Sequence, residues 1–168
     1  MKFEWELPSA ERLVVGTVGE PGQRVFYLQA REGPQLVTLK LEKLHVAELS
    51  SRLLELIEDW PELDTSAIEP GELEAPVEPD FVVGSLALGF HDDGDRIILV
   101  AEELVPEEDE ANASVARIVV TREQIAALAR HGAELVTAGR APCPLCGYPL
   151  DPRGHVCPRS NGHGPPRT

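Results

Sequence analysis

The stretch from Arg12 to Leu41, RLVVGTVGEPGQRVFYLQAREGPQLVTLKL, decides the fold of this chain. Its β-branched and aromatic residues fall into three short runs, a pattern that is typical of strands. The first run is closed by Glu20-Pro-Gly-Gln23, which has proline and glycine at the central positions of a type II turn. The second is closed by Glu32-Gly-Pro-Gln35. The stretch therefore predicts an antiparallel meander with strands at residues 12–19, 24–30 and 36–41.

The apolar period changes directly after the third strand. From Leu44 to Ile57, leucine, valine and isoleucine recur at helical spacing, and Trp60-Pro61 ends the predicted helix. An alternation of apolar residues at positions 3, 5 and 7 predicts a short edge strand ahead of the meander. The first half of the chain is therefore predicted to be a β-β-β-α unit.

The same order of patterns returns after residue 80. A second predicted helix follows three further strands, and its Thr121 and Gln124 have the spacing of a capping box. Residues of the two helices match at one constant offset, for example Val46 with Ile125. The three further strands are predicted at residues 81–88, 96–101 and 115–120.

These patterns predict an α+β fold made of a duplicated β-β-β-α unit, with antiparallel sheet or sheets covered by two helices and with pseudo-twofold symmetry. Convergent patterning is the alternative, because any two strand–helix segments share apolar periods. The acidic, proline-spaced segment 58–79 is typical of a solvated linker. We predict an α+β domain at residues 1–139 with repeat halves at about 12–57 and 80–136, a small C-terminal zinc-knuckle module at 140–162 and a tail at 163–168.

All three cysteines of the chain lie near its C-terminal end. Cys143 and Cys146 form a Cys-x-x-Cys pair, and after a predicted turn His155 and Cys157 return towards it. This spacing predicts a tetrahedral Zn²⁺ site with those four residues as ligands, and His163 is the alternative fourth ligand. Unligated thiols and a disulfide between Cys143 and Cys146 are disfavoured by the odd cysteine count and by the lack of a secretory segment.

The charge of the chain is strongly acidic and unevenly placed. The formal net charge is −14, but the segment from Arg140 onward holds four arginines and one acid, which leaves −17 for the rest. An acidic body argues against binding to nucleic acids or anionic membranes, since such partners are held by lysine and arginine. No apolar run is long enough to cross a membrane, and we expect a cytoplasmic protein.

The turn between the first two strands is a candidate ligand loop. Its glycines and the guanidinium of Arg24 could present N–H groups to a phosphate or a carboxylate, and Glu42 with Lys43 could act as an acid/base pair. A tight hairpin without a ligand is the alternative, because the loop is neither a Walker loop nor a dinucleotide fingerprint. No catalytic residue is predicted; the candidate ligand or partner residues are Gly19, Glu20, Gln23, Arg24, Glu42, Lys43 and Arg159.

Three stretches of this chain resemble the actinobacterial domain-of-unknown-function 3090 family. They are Gly16-Thr-Val-Gly-Glu-Pro-Gly-Gln-Arg24, Phe26-Tyr-Leu-Gln29 with Leu41-Glu-Lys43, and the cysteine segment with its Gly154-His-Val-Cys-Pro-Arg-Ser-Asn-Gly162 return. The family pattern has its histidine at the position of His155, so the resemblance implies that ligand rather than His163. It implies no reaction, but it does imply an association with lipid-kinase-like and histidine-phosphatase-like proteins, which are encoded near members of the family.

Three functions remain open from the sequence. We favour a non-catalytic, zinc-stabilised protein-binding or adaptor module that acts beside phosphoryl-transfer enzymes. The first alternative is an enzyme or ligand-binding protein that uses the loop from Gly16 to Arg24 for a phosphate or a carboxylate. The second, nucleic-acid binding through the basic zinc tail, is opposed by the charge of the body.

Overall fold

The computed structural model describes residues 3–20, 22–65, 68, 71–137 and 144–145. A single mixed sheet and two long helices make up most of this part of the chain, and a short 3-10 helix spans Glu107–Asn112. No helix in these ranges is both long and apolar enough to span a bilayer. In chain order the elements are β1 (Trp5–Leu7), β2 (Arg12–Val18), β3 (Val25–Glu32), β4 (Gln35–Leu41), α1 (Lys43–Glu58), β5 (Phe81–Phe90), β6 (Ile97–Glu103), β7 (Val115–Val120) and α2 (Arg122–Thr137).

The strands follow the order β1-β7-β6-β5-β4-β3-β2 across the sheet. Two antiparallel meanders, β2-β3-β4 and β5-β6-β7, lie side by side, as the sequence predicts. The sheet is not purely antiparallel, however, because β4 pairs with β5, and β1 with β7, in parallel. The β4–β5 junction is short, with only Leu39 opposite Phe81 and Lys40 opposite Val82.

The two edges of the sheet approach each other. Leu7 ends β1 at one edge and Arg12 begins β2 at the other, so five residue steps, or at most about 17 Å, must connect them. The outer strands of a flat seven-stranded sheet would lie about 29 Å apart. The sheet is therefore strongly curled, and consecutive residues bridge the gap: Ala10 N donates to Val119 O and Glu11 N to Arg31 O.

Both helices pack on the same face of the sheet around one core. The central strands contribute fully buried side chains such as Leu28, Leu39 and Leu99, and these cluster with Leu53 of α1 and Ile125 of α2. The helices also pack on each other, with Gly132 of α2 placed directly against Ser50 of α1.

The predicted capping box at the start of α2 is confirmed in both directions. Gln124 N donates to Thr121 Oγ1 at 3.1 Å, and Thr121 N donates to Gln124 Oε1 at 2.8 Å. Two N–H groups at the helix start are thereby satisfied by side chains. This motif involves only neighbouring residues, which is why its spacing in the sequence predicts it.

The two halves share the order β-β-β-α. In a flat sheet, a twofold axis would place equivalent strands next to each other at the junction, β2 beside β5 or β4 beside β7. The junction instead joins β4, the last strand of one half, to β5, the first strand of the other, and the two run parallel. The halves thus succeed each other around the curled sheet in the same sense. A twofold axis parallel to the strands is compatible with this order, so the expected pseudo-twofold symmetry stays a prediction. A duplication as the origin of the repeated order stays a prediction.

The acidic segment between the halves does not stay in solvent over its whole length. Residues 71–74 lie on the face of the first meander that is opposite the helices, where Leu73 packs against Gly16. The Gln29 side chain pairs with the backbone of Glu74, accepting from Glu74 N at 2.7 Å and donating to Glu74 O at 3.1 Å. The Glu74 carboxylate also forms ion pairs with Arg12 and Arg31. This part of the segment is therefore a docked strap rather than a solvated connector.

The predicted boundary at residue 139, the zinc-knuckle module and the tail lie outside the described residues, apart from residues 144–145.

Candidate binding cleft

A cleft of about 380 Å³ opens between the β2–β3 turn and the start of α1. This volume lies at the lower end of the range of small-molecule sites and is enough for one ionised side chain or a small anion. Three basic side chains contribute to its wall. The residues that line it are Gly22, Arg24, Val25, Phe26, Lys40, Leu41, Glu42 and Lys43.

Arg24 ties one wall of the cleft to the end of α2. Its guanidinium donates from Nη2 to the carbonyl oxygen of Leu135 at 2.9 Å and lies 5.5 Å from the centroid of the Phe26 ring. The last carbonyls of a helix have no partner within the helix and attract cations. Arg24 therefore fixes the last turn of α2 beside the cleft. In the sequence, this turn is followed by the segment that contains Cys143.

The other wall is the junction between β4 and α1. Lys40 is the penultimate residue of β4, Lys43 is the first residue of α1, and Glu42 is the N-cap residue between them. Glu42 N donates to His45 Nδ1 at 3.3 Å, which ties His45 to the helix start. The N-terminal end of a 16-residue helix adds a partial positive charge to that of the lysines.

The β2–β3 turn itself forms a tight hairpin, as the simpler interpretation predicts. Gln23 N donates to Glu20 O at 2.9 Å, and Gly19 and Gly22 have positive φ angles of 111° and 89°. A side chain at Gly19 would meet the carbonyl oxygen of Gln23, so glycine is needed there.

The predicted loop residues therefore divide into two groups. Arg24, Glu42 and Lys43 come together in the cleft, whereas Gly19, Glu20 and Gln23 shape the turn and are not among the residues lining it. Sequence reasoning missed Lys40 and Phe26. The alternation of side chains along a strand places Lys40 and Phe26 on opposite faces of the sheet. Both residues line the cleft because it lies where the sheet ends and the helix begins. Arg159 and the predicted zinc ligands Cys143, Cys146, His155 and Cys157 lie outside the described residues.

The acidic turn between β5 and β6 is a hairpin turn rather than a cation site. The Asp93 carboxylate accepts from Asp95 N, from Arg96 N and from Arg96 Nε, the last at 2.7 Å. These hydrogen bonds, those from Arg96 first, hold the pKa of Asp93 far below its ordinary value. In the ranges given above, no group of histidine, cysteine and acidic side chains is arranged to hold a metal ion.

The fold and the cleft define a class: an α+β protein with one curled mixed sheet, two helices on one face and a basic cleft at a helix start. The chain belongs to the family described as protein of unknown function (DUF3090), whose model matches residues 5–157. The predicted zinc ligands all fall within the matched residues. A search of curated proteins and a search of solved structures each found no match.

Proposed function

We propose that this protein is a non-catalytic protein-binding module and that the cleft takes an anionic group, a carboxylate or a phosphate, presented by its partner. The observation that supports the proposal is the placement of charge. Arg24, Lys40 and Lys43 line one cleft at the positive end of a helix in a chain of net charge −14.

The side chains of the cleft suit binding better than a reaction. The described residues that line it include no serine, threonine or cysteine that could act as a nucleophile. Its acid, Glu42, is the N-cap residue of α1 and so has a structural task. Arginine and lysine next to backbone N–H groups are the usual means of holding a phosphate or a carboxylate.

We further propose that the cysteine segment binds one zinc ion through Cys143, Cys146, His155 and Cys157. Since Arg24 holds the last turn of α2, that helix ends near the cleft. Leu135 and Cys143 are only eight residues apart, so the two features can serve one partner surface. The zinc would act there as a structural clip, with all four positions filled by protein.

The proposal is tested by charge reversal in the cleft. Lys40→Glu places a carboxylate beside the site of the bound anion. We expect this variant to fail to capture the partners that the wild-type protein captures from a lysate of its own cells. Arg130→Glu is the matched control, because it changes the net charge by the same amount at an exposed residue of α2. Identical sets captured by wild type and Lys40→Glu would contradict the proposal.

A small anionic metabolite is the second candidate ligand. It is favoured by the volume of the cleft and by the adjacency of Glu42 and Lys43 in its lining. Thermal-shift screening with phosphorylated and carboxylated metabolites separates the two candidates. A metabolite that stabilises wild type but not Lys40→Glu, and that is turned over, would replace the binding module with an enzyme.

A further inference from the structure

One edge of β5 is open over most of its length. On the side towards β4, β5 is paired only at Phe81 and Val82, because β4 ends at Leu41 and α1 begins two residues later. β5 itself continues to Phe90, paired on its other side with β6. Within the residues that the structure describes, no strand lies against the β4 side of residues 84–90.

The register of β5 and β6 shows which backbone groups are open. His91 N donates to Arg96 O, so this pair is of the hydrogen-bonded type. In an antiparallel ladder such pairs alternate, and therefore the N–H and C=O groups of residues 85, 87 and 89 point to β6. The N–H and C=O groups of Leu86, Leu88 and Phe90 point away from it, towards the open edge.

This edge carries no lysine, no proline and no inward-pointing charge. Natural open edges are blunted by lysine, proline or inward-pointing charges, which prevent other strands from adding to them. Residues 84–90, GSLALGF, contain neither a charged residue nor a proline, although 26% of the chain is charged. Phe90, which is 54% exposed, adds a large apolar side chain at the end of the edge.

There is room beside the edge. A cleft of about 430 Å³ separates it from α1, with Leu86 and Leu88 on one side. The helix contributes His45, Glu48, Leu49 and Arg52 to the other side. Leu86 and Leu88 lie opposite the buried Ala101 and Leu99 of β6 and so share the helix-facing side of the sheet.

We propose that the edge of β5 accepts an extended peptide segment of a partner protein by strand addition. The peptide would pair with Leu86, Leu88 and Phe90 through its backbone and place alternate apolar side chains on Leu86 and Leu88, beneath α1. The inference rests on the proposed function, since it gives the protein-binding module a second contact surface.

Two other occupants of the edge are a second copy of this chain and the chain's own C-terminal residues, and a partner peptide is favoured over both. A single extended chain can pass between α1 and β5, whereas the edge of a second copy would bring its own helix layer into the space that α1 already takes. The chain's own residues 138–168 contain seven prolines, which cannot donate to a ladder.

The test uses the full-length protein and a displayed library of random ten-residue peptides. An enriched peptide is synthesised, and its dissociation constant is measured with wild type, Leu88→Pro and Leu88→Ala. Proline removes the N–H that faces the edge, so we expect binding to weaken at least about tenfold. Leu88→Ala is the matched control: both variants lose most of the leucine side chain, but alanine keeps the N–H, so we expect Leu88→Ala to bind the peptide more tightly than Leu88→Pro.

Thermal unfolding checks that each variant folds. If Leu88→Pro does not fold, Phe90→Pro with Phe90→Ala repeats the comparison at the end of the strand, where a proline disturbs less of the ladder. Amide exchange gives a second measurement: added peptide should slow exchange at residues 86, 88 and 90 and leave residues 87 and 89 unchanged, because β6 already protects those two.

The proposal is overturned if no peptide is enriched, if the proline and alanine variants bind alike, or if the protected amides lie elsewhere. The variant Lys40→Glu distinguishes peptide binding at the edge of β5 from anion binding in the cleft. An edge peptide that binds Lys40→Glu as well as wild type supports the strand-addition site, whatever the capture experiment shows. If Lys40→Glu loses its captured partners and no peptide is enriched on the edge of β5, strand addition is refuted and the proposed function of the cleft is retained.

Discussion

Glu74 shows how one side chain can fix a segment that the sequence marks as a linker. Its carboxylate is 2.8 Å from Arg31 Nη2 and 3.3 Å from Arg12 Nη1, and these arginines belong to neighbouring strands. The hydrogen bond from Arg31 and the charges of both arginines lower the pKa of Glu74 below its ordinary value of 4.5, although partial burial opposes the shift. The strap is therefore held more firmly when Glu74 is ionised.

The lowered pKa gives a stability difference with a defined pH dependence. A carboxyl group whose pKa is lowered by folding stabilises the protein fully above its ordinary pKa, and this stabilisation is lost as the pH falls through the lowered value. We expect Glu74→Gln to be less stable than wild type between pH 6 and pH 8, and the difference to shrink below about pH 4.5. Urea unfolding at a series of pH values measures it.

Glu72→Gln is the matched control for this experiment. Glu72 is exposed and contributes only its backbone carbonyl to Arg12. Its variant should follow the pH profile of wild type. A constant difference between wild type and Glu74→Gln down to pH 2 would show that the ion pairs are not its source.

Among the elements, the contact between α1 and α2 sets the spacing of the helix layer. Gly132 of α2 packs against Ser50 and Val46 of α1, so a Cβ atom added at this glycine would overlap the Ser50 hydroxyl. The helices can approach closely only because position 132 has no side chain. This contact also places the end of α2 beside Arg24 and the cleft.

The predicted cost of a side chain at this contact is large. We expect Gly132→Val to lower the free energy of unfolding by about 2 kcal/mol, because overfilled cores lose roughly 1–3 kcal/mol. Gly89→Val is the control, since a Cβ atom there would meet nothing within 4 Å. Chemical denaturation of both variants measures the difference. Equal stability of the two would mean that the helices can separate without cost.

The C-terminal segment has its own prediction. The protein purified without chelator should carry one zinc ion per chain, and Cys143→Ser or Cys157→Ser should abolish it. Thermal unfolding of the domain should change little, since its core lies in residues 7–129. His155→Ala should lose zinc and His163→Ala should keep it, as metal analysis can show. Zinc-free protein with three titratable thiols would refute the site.

The elements also show where sequence reasoning succeeds. The meander of residues 12–41 and the capping box of Thr121 and Gln124 depend on neighbours in the chain, and both were predictable. The β4–β5 junction, the curl that brings Ala10 to Val119, and the strap at Glu74 depend on contacts across 40 to 110 residues. No local period encodes such contacts, so the sequence predicted neither the parallel pairing of β4 with β5 nor the docking of the strap.

The cleft was predictable only in part for the same reason. Arg24, Glu42 and Lys43 stand out in the sequence because glycines and a helix start adjoin them. That Arg24 meets Leu135, 111 residues away, follows only from the antiparallel packing of α2 on α1.

At the scale of the whole molecule, charge separation is the feature that the proposed function explains. A chain with 29 acidic and 15 basic residues carries a large net negative charge. A basic cleft in such a chain guides an anionic group to one place, because the surrounding carboxylates repel it everywhere else. The effect should weaken with added salt, since exposed charges are screened over about 8–10 Å at physiological ionic strength.

The most direct test of the cleft is an NMR titration of the ¹⁵N-labelled protein with inorganic phosphate and, separately, with acetate at constant ionic strength. We expect saturable shifts at residues 22–26 and 40–45 for at least one of the anions, lost in Lys40→Glu and retained in Arg130→Glu. Shifts that are absent, spread over the whole protein, or unchanged in Lys40→Glu would contradict an anion-binding cleft at the start of α1.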